Sequence, residues 1–402
     1  LADAIITRRG GEGVAEVRFE DYYTPVNEIT KENVSTSLST SRYGLAGASI
    51  GGYALFAGGY ILGAISNTVD AYDISLTRTT PTVLSVGRTL LAGATAGNYA
   101  LFAGGDSSGV TSSTVDAYNS SLIRTTPASL SVGRRSLAGA RVGNYSLFAG
   151  GEENETYYFN TVDAYDYLLT RTTPIELTES RANLAGATVG DYALFAGGYT
   201  YDSYYDDSRI YSTVDAYNSS LVRTTPASLS VGRMSLAGAS IRNYAIFAGG
   251  NGSSVVEAYN KSLTRIILTP LVQARGSLTG VSVGDCALFA GGSGGAYYDT
   301  VDAYDISLTR TTPAVLSVGR SALAGASVEN YAIFAGGTGA TNAYNSTVDV
   351  YFFNDPSLIY IPITEGSKYK LNSDVEVTAT SSTILKFKYL LNGYIKYKKG
   401  VI

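Results

Sequence analysis

Apolar residues in this chain come in short blocks, and the blocks recur. Tyr99-Ala-Leu-Phe-Ala103 makes both faces of a five-residue segment apolar, and near-copies stand at 53–57, 145–149, 192–196, 244–248, 286–290 and 331–335. A run of small residues such as Ala92-Gly93-Ala94 precedes each block. The spacing of three and four that a helical repeat needs is absent, so the blocks predict β-strands covered on two sides. The turn between the first two strands, Gly97-Asn98, suits a two-residue hairpin because both residues tolerate positive φ. A loop and a third strand, Thr114 to Tyr118, come next. After the turn Asn119 to Ile123, the stretch Arg124 to Gly133 is expected to be a fourth, outer strand, where Pro127 can lack its N–H at no cost.

The unit repeats seven times. Ala-Gly-Gly recurs with its first glycine at Gly58, Gly104, Gly150, Gly197, Gly249, Gly291 and Gly336. Upstream of each stands an arginine, Arg42, Arg88, Arg134, Arg181, Arg233, Arg275 and Arg320, at intervals of 46, 46, 47, 52, 42 and 45. Third strands end at Tyr72, Tyr118, Tyr165, Tyr217, Tyr259, Tyr304 and Tyr351. Seven four-stranded units of this length predict an all-β chain, a seven-bladed β-propeller over residues 28–362 whose blades start near those arginines. The small first strands fit the crowded axis. Closure requires a fourth strand for blade seven: residues 36–42 align with the run before Arg88, Leu38 matching Leu84, so residues 30–41 are expected to supply it. Residues 358–363 are the rival. Residues 1–27 are expected to be an anchor or linker, their first nine a short helix or an anchor. Residues 363–402 alternate apolar and basic positions (Ile384, Lys386, Lys388, Leu390) and predict a small β appendage.

With these residues in hand, the repeat resembles the kelch family. Gly104-Gly105, Tyr118 and Arg134 match its double glycine, its third-strand tyrosine and the arginine opening the next blade. The family's tryptophan is missing throughout, and Thr or Arg of the Arg-Thr-Thr-Pro stretch stands in its place. The resemblance covers about three quarters of the chain and implies a kelch-type propeller. The opening Ala2-Asp3-Ala4-Ile5 resembles segments of bacteriophage tail proteins, which implies a receptor-binding component tethered by its N-terminal segment.

Composition then removes whole classes of chemistry. The 402 residues include no His, no Trp and one Cys, against 45 Gly and 33 Tyr. Without His there is no Ser-His-Asp or Cys-His nucleophile, and the copper-oxidase chemistry found on kelch-type propellers lacks its ligands. No catalytic residue, metal or cofactor is expected. Net charge is −5, and the one basic run, Lys396, Lys398 and Lys399, is too short for a nucleic-acid footprint. No apolar stretch reaches membrane-spanning length.

Seven acids accompany the seven arginines: Asp70, Asp116, Asp163, Asp215, Glu257, Asp302 and Asp349. They predict either an anion-binding ring or one structural ion pair per blade, and sameness in every blade favours the scaffold. Divergence marks the candidate site instead. After each double glycine the copies lose their likeness and turn to Tyr, Asp, Ser, Gly and Asn, the chemistry of antibody paratopes. Candidate ligand-binding residues are therefore Tyr157, Tyr158, Tyr199, Tyr201, Asp202, Tyr204, Tyr205, Asp206, Asp207, Arg209, Tyr211, Tyr297, Tyr298 and Tyr344. Tyr faces beside carboxylates suit sugar rings or protein surfaces. Asp202, Asp206 and Asp207 also suggest a Ca²⁺ site, although their spacing fits no EF-hand. Cys286 takes the place of a strand tyrosine and is expected to be packed rather than reactive. The expectation is a non-enzymatic binding module, extracellular or on a virion surface, recognising a cell-surface glycan or protein receptor, with other virion or tail subunits as further partners. The alternative is a structural assembly protein whose faces make subunit contacts.

Overall fold

The computed structural model describes residues 28–33, 36–202, 206–340 and 343–354. Outside these it describes the strands Ile6–Arg9, Val14–Val17, Leu358–Pro362, Lys368–Leu371, Val375–Thr378, Ile384–Leu390 and Tyr394–Lys396. Seven four-stranded antiparallel sheets form the blades of a propeller. In blade two, Ala92–Ala96 pairs with Tyr99–Ala103, which pairs with Val115–Asn119, which pairs with Arg124–Thr125. Ala100, Leu101, Phe102 and Ala103 are all fully buried, because a neighbouring blade covers each face of the second strand. Phe102 and Tyr118 belong to the same core as Leu55, Val69 and Leu84 of blade one. Their rings meet edge to face at 6.0 Å, and the Tyr118 hydroxyl donates to Thr82 O at 2.8 Å. The arrangement recurs at every junction, including blades seven and one, where Phe56 and Tyr72 pack with Val350 and Leu38.

Two closed circles define the axis. A Cβ on Gly93 would stand 2.2 Å from Gly47 O, and one on Gly47 would stand 2.1 Å from Gly325 O. Real contacts of that length do not exist, so only glycine lets the innermost strands come this close. Just before those strands, backbone N–H groups form a belt. Leu90 donates to Gly44 O, Ser136 to Leu90 O, Asn183 to Ser136 O, Ser235 to Asn183 O, Ser277 to Ser235 O and Ala322 to Ser277 O. Gly44 then donates to Ala322 O at 3.0 Å and closes the circle. All seven have positive φ, which costs a non-glycine residue about 1–3 kcal/mol and persists because the belt and the packing beneath it hold the backbone there.

The arginines and acids form pairs inside the blades. Asp215 accepts from Arg181 at 2.8 Å and from the Thr178 backbone and hydroxyl at 3.2 and 3.1 Å, with Arg223 at 3.7 Å on the rim. Both Arg181 and Asp215 are fully buried. Guanidinium groups spent in this way leave no charged ring for an anion, so the anion-binding reading is set aside. In blade seven the rim arginine is replaced by Lys31, whose ammonium sits 2.7 Å from Asp349.

Lys31 lies on Glu28–Glu32, the outer strand of the sheet that contains Val348–Asn354. Leu38 donates to Ser346 O just as Leu84 donates to Asn67 O. Leu358–Pro362 pairs instead with Ile384–Leu390. Two expectations need correction. The outer strand is two residues long in five blades and not the whole Arg-Thr-Thr-Pro stretch, because beyond it the chain leaves the sheet and Ser131 N bonds Asp163 of the next blade. Within the opening nine residues, Ile6–Arg9 is a strand and not part of a helix, paired with both Val14–Val17 and Lys368–Leu371, and residues 1–5 lie outside the described residues. The two ends of the chain thus share a sheet. Residues 30–353 form one compact unit, and residues 1–29 with 354–402 form another.

Replacing one member of a buried pair leaves the other charged and unmatched. Arg181→Ala is expected to cost about 3–5 kcal/mol in urea unfolding, and Arg223→Ala, on the rim, less than about 1 kcal/mol. Equal losses would show that burial is not what makes the pair matter. A second prediction concerns acid. Burial opposes ionisation of Asp349, yet Arg320, Lys31 and Ser317 outweigh it and hold the carboxyl below its ordinary value. Its contribution is present above the unfolded carboxylate range of about 3.9 and is lost as pH falls through the lower folded value. Asp349→Asn should therefore be much less stable than the parent near neutrality, and the gap should narrow in strong acid. A gap independent of pH would contradict this.

Candidate functional site

Double glycines start the face on which the blades differ. Gly104 and Gly105 have φ of 65° and 106°, and Cβ atoms there would stand 2.5 Å from Arg134 O and 2.7 Å from Thr89 O. Only glycine can leave the second strand through that gap. In blades one to four the chain then folds into a small hairpin: Tyr60–Ile61 with Ala64–Ile65, Asp106–Ser107 with Val110–Thr111, Glu152–Glu153 with Tyr157–Tyr158, and Tyr199–Asp202 with Asp207–Ile210. Blades six and seven have single bridges at these loops, Ser293 with Tyr297 and Thr338 with Tyr344. In six blades the hairpin or loop base bridges the residue after that blade's arginine, as Arg135 does Glu152 and Ala182 does Tyr199. Both sets of connections therefore share one face, at the belt end of the inner strands.

Blades three and four bring several candidate residues together. A groove of about 250 Å³ is lined by Glu155, Tyr158, Tyr199, Tyr201, Ser208, Ile210 and Met234. Tyr158 and Tyr199 meet edge to face at 5.6 Å, and burial raises both phenols above their ordinary value. The Tyr201 hydroxyl donates to Asp206 at 2.9 Å, and that bond raises its phenol too. Beside this groove Arg135 gathers three carboxylates, Glu155 at 3.1 Å, Glu152 at 3.2 Å and Asp106 at 3.3 Å. Glu152 is 3% exposed; one oxygen bonds Arg135, and the other, Oε2, has no partner. Burial raises its carboxyl.

Other candidates fall elsewhere. Tyr157 is exposed and, as the neighbour of Tyr158 on the strand, points to the hairpin's opposite side. Asp202, Asp206 and Asp207 are exposed at the tip of the blade-four hairpin. They do not form a metal-binding group, and no group of three or more potential ligands occurs among the described residues. Arg209 lies 4.9 Å over the Tyr211 ring and 3.5 Å from Glu179. Tyr211 itself is only 9% exposed and serves as the packed base of the hairpin rather than part of its open surface. Tyr204 and Tyr205 lie outside the described residues. Tyr297 and Tyr298 are half-buried on blade six, where the Tyr298 hydroxyl donates to Gly294 O, and neither lines the groove. Tyr344 joins a different cluster, with Tyr43 at 5.0 Å and Tyr60 at 6.0 Å across the junction of blades seven and one.

Tyr43, Tyr60, Arg135, Glu152, Glu155 and Met234 escaped the sequence reading. The signal was available: the position after each blade arginine holds Tyr43, Thr89, Arg135, Ala182, Met234, Gly276 and Ser321, a variable column beside a constant one. The opposite face carries a larger cavity of about 580 Å³ lined by Gly97, Asn98, Tyr99, Asn119, Ser120, Asn144 and Tyr167. Most of its lining is turn residues that recur from blade to blade, so it offers less to distinguish one ligand from another.

Fold and face together define a seven-bladed β-propeller with four-stranded antiparallel blades. No protein-family model matches the chain, and no similar curated protein is found. Cys286 lies in a core strand of blade six, 3% exposed, its thiol pushed up to about 12 by burial and then by Asp305 and Asp285. Because the thiolate is the reactive form, native protein in mildly alkaline buffer should resist alkylation that goes to completion in denaturant. Mass spectrometry reads the difference, and rapid native labelling would contradict it.

Proposed function

We propose that this propeller is a non-enzymatic recognition module of the kelch type that binds a cell-surface glycan or protein through the face carrying the groove between blades three and four. One observation carries the reading: Tyr158, Tyr199 and Tyr201 converge on a single groove, on the face where the repeats diverge. Tyrosine brings large amphipathic contact area at low entropic cost, and its ring stacks on the C–H face of a sugar while nearby polar groups meet the hydroxyls. A volume of about 250 Å³ accommodates one sugar ring or one protruding side chain rather than a drug-sized molecule. Absence of His argues against the triad and copper chemistries that enzymes on related scaffolds use. Placement outside a cell or on a virion, as a phage tail component, follows the resemblance of the opening residues and is part of the proposal. A structural subunit is the second reading. Leu62 and Val110, 89% and 69% exposed on the hairpins of blades one and two, favour it, since apolar tips suit contact with another protein.

Glycan-array and cell-binding assays test the first reading. Ser208→Arg fills the groove and Tyr201→Ala removes one wall, and both are surface changes worth within about 0.5 kcal/mol of stability. Loss of binding with unfolding unchanged is the expected result. Full binding by both variants would show that another surface is used.

A further inference from the structure

On the face opposite the groove, we infer that the cleft between blades two and three is a second ligand site, for a neutral disaccharide. The site is independent of the groove, and its cavity of about 580 Å³ holds two sugar rings where the groove holds one. Four turns build it. Blade two supplies Asn98 and Tyr99 from one turn and Asn119 and Ser120 from the other, and blade three supplies Asn144 and Tyr167. Tyr99 is half-buried against the core that contains Leu101 and Phe148, which holds its ring in place. Tyr167 is 53% exposed. A Cβ on Gly97, whose φ is 51°, would stand 2.8 Å from Tyr167 Cβ, so glycine lets the two blades close against each other beneath the ring.

Each of these turns recurs around the ring, but their combination does not. Asn98, Asn119 and Asn144 correspond to Gly52, Asp73 and Asn98 one junction earlier, and to Asn144, Asp166 and Asp191 one junction later. Only between blades two and three are all three positions amides. The place of Tyr167 holds Ile74, Ser120, Ser219, Lys261 and Ile306 in other blades, so the aromatic is equally particular to this cleft. Asn119 Oδ1 accepts from the Ser121 and Ile123 N–H groups, both at 3.0 Å, which leaves the two Nδ2 hydrogens for a ligand. Asn98 and Asn144 are exposed, and among the described residues neither side chain has a partner, so each presents a donor and an acceptor. The lining contains no charged and no aliphatic side chain. A sugar matches what remains: its C–H face stacks on tyrosine, and its hydroxyls donate and accept at once. A peptide anchor would need an apolar pocket and an acidic sugar a cation, and the lining supplies neither.

Saturation-transfer difference NMR on the intact chain tests this with lactose, cellobiose, maltose and N,N′-diacetylchitobiose. At least one of these sugars should receive saturation. Tyr167→Ser, which installs the residue of blades two and four, should weaken its binding about 10-fold. Asn119→Asp keeps the acceptor, as Asp73 does toward Ser75 and Thr77, but removes both donors and should weaken binding several-fold. Both substitutions introduce a residue that another blade already carries, so thermal unfolding should match that of the parent. Ser208→Arg, in the groove on the other face, should leave this binding unchanged. No transfer to any of the four sugars, or binding that neither substitution weakens, would overturn the inference. Sugar binding that Ser208→Arg blocks and Tyr167→Ser spares would overturn it too, while leaving the reading of the groove intact. The reverse pattern would support this site whatever becomes of the groove. A displayed peptide that binds the chain and is released by Tyr167→Ser, with no sugar bound, would assign the cavity to a protein instead.

Discussion

A guanidinium and a carboxylate without exposed surface lie within every blade, and neither can change unless the other does. Each arginine belongs to the segment that links one blade to the next, so its two ends hold two blades. The Arg88 side chain bonds Asp116 and the carbonyls of Gly104 and Thr114 in blade two, while its own carbonyl accepts from Gly59 of blade one at 2.8 Å. That dual bond explains why the double glycine must sit where it does. The backbone of Gly58 and Gly59 passes so close to the arginine carbonyl of the next blade and the Tyr43 carbonyl of its own that a Cβ on either would collide. One ion pair thus dictates the path of a connection, the glycines and the junction. A buried charge left alone would cost more than most single contacts return, so seven copies stay alike.

Closure follows from the same stitch made with different covalent material. Gly337 donates to Arg42 O at 2.9 Å and Arg42 pairs with Asp70 at 2.7 Å, as at any other junction. What differs is the outer strand of blade seven, which comes from the opposite end of the chain and brings Lys31 in place of an arginine. Lysine meets the carboxylate as a point charge and reaches Val315 O and Ser317 with its remaining donors. Closure leaves no blade face uncovered between the first and last blades, and the outer strands that remain as edges are short.

Repetition made most of this legible in the sequence. Seven Ala-Gly-Gly runs and seven arginines at nearly constant intervals, with strand blocks apolar on both faces, leave few architectures to consider; the outer strand of blade seven, expected over residues 30–41, is Glu28–Glu32, while Leu38 keeps the bond that Leu84 makes. The length of the outer strand was not legible. Pro127 is as compatible with a strand edge as with a chain leaving the sheet, and the deciding bond, Ser131 to Asp163, joins residues 32 apart. The belt was equally hidden, because Leu90, Asn183 and Ala322 share no chemistry, only a backbone conformation. At the candidate site, loop divergence pointed to the two hairpins whose Tyr158, Tyr199 and Tyr201 line one groove. It missed Glu155, Met234 and Arg135. Divergence was sought in long loops, whereas these residues include single variable positions in constant surroundings. Tyr211 was taken with its neighbours because composition cannot separate a packed base from an open wall.

A scaffold this constrained leaves little surface on which blades can differ, and that places the chemistry. The buried arginine on one side and the belt residue on the other fix the backbone around each arginine-following residue, and the double glycine fixes the residue after it, so in six blades the two variable columns face each other across a bridge. Neighbouring blades then bring different pairs side by side: Tyr43 with Tyr60 and Tyr344 at one junction, Arg135 with Glu152 and Asp106 at another. The first is an uncharged aromatic cluster. The second is acidic, with tyrosines next to it. Substitutions at these positions change what the face offers without disturbing a buried pair, so a single rigid ring can carry unlike sites a few blades apart. Raised hairpins on blades one to four, against shorter loops on blades five to seven, make the face lopsided. The taller half is the one that holds the groove and, beside it, the carboxylates gathered by Arg135.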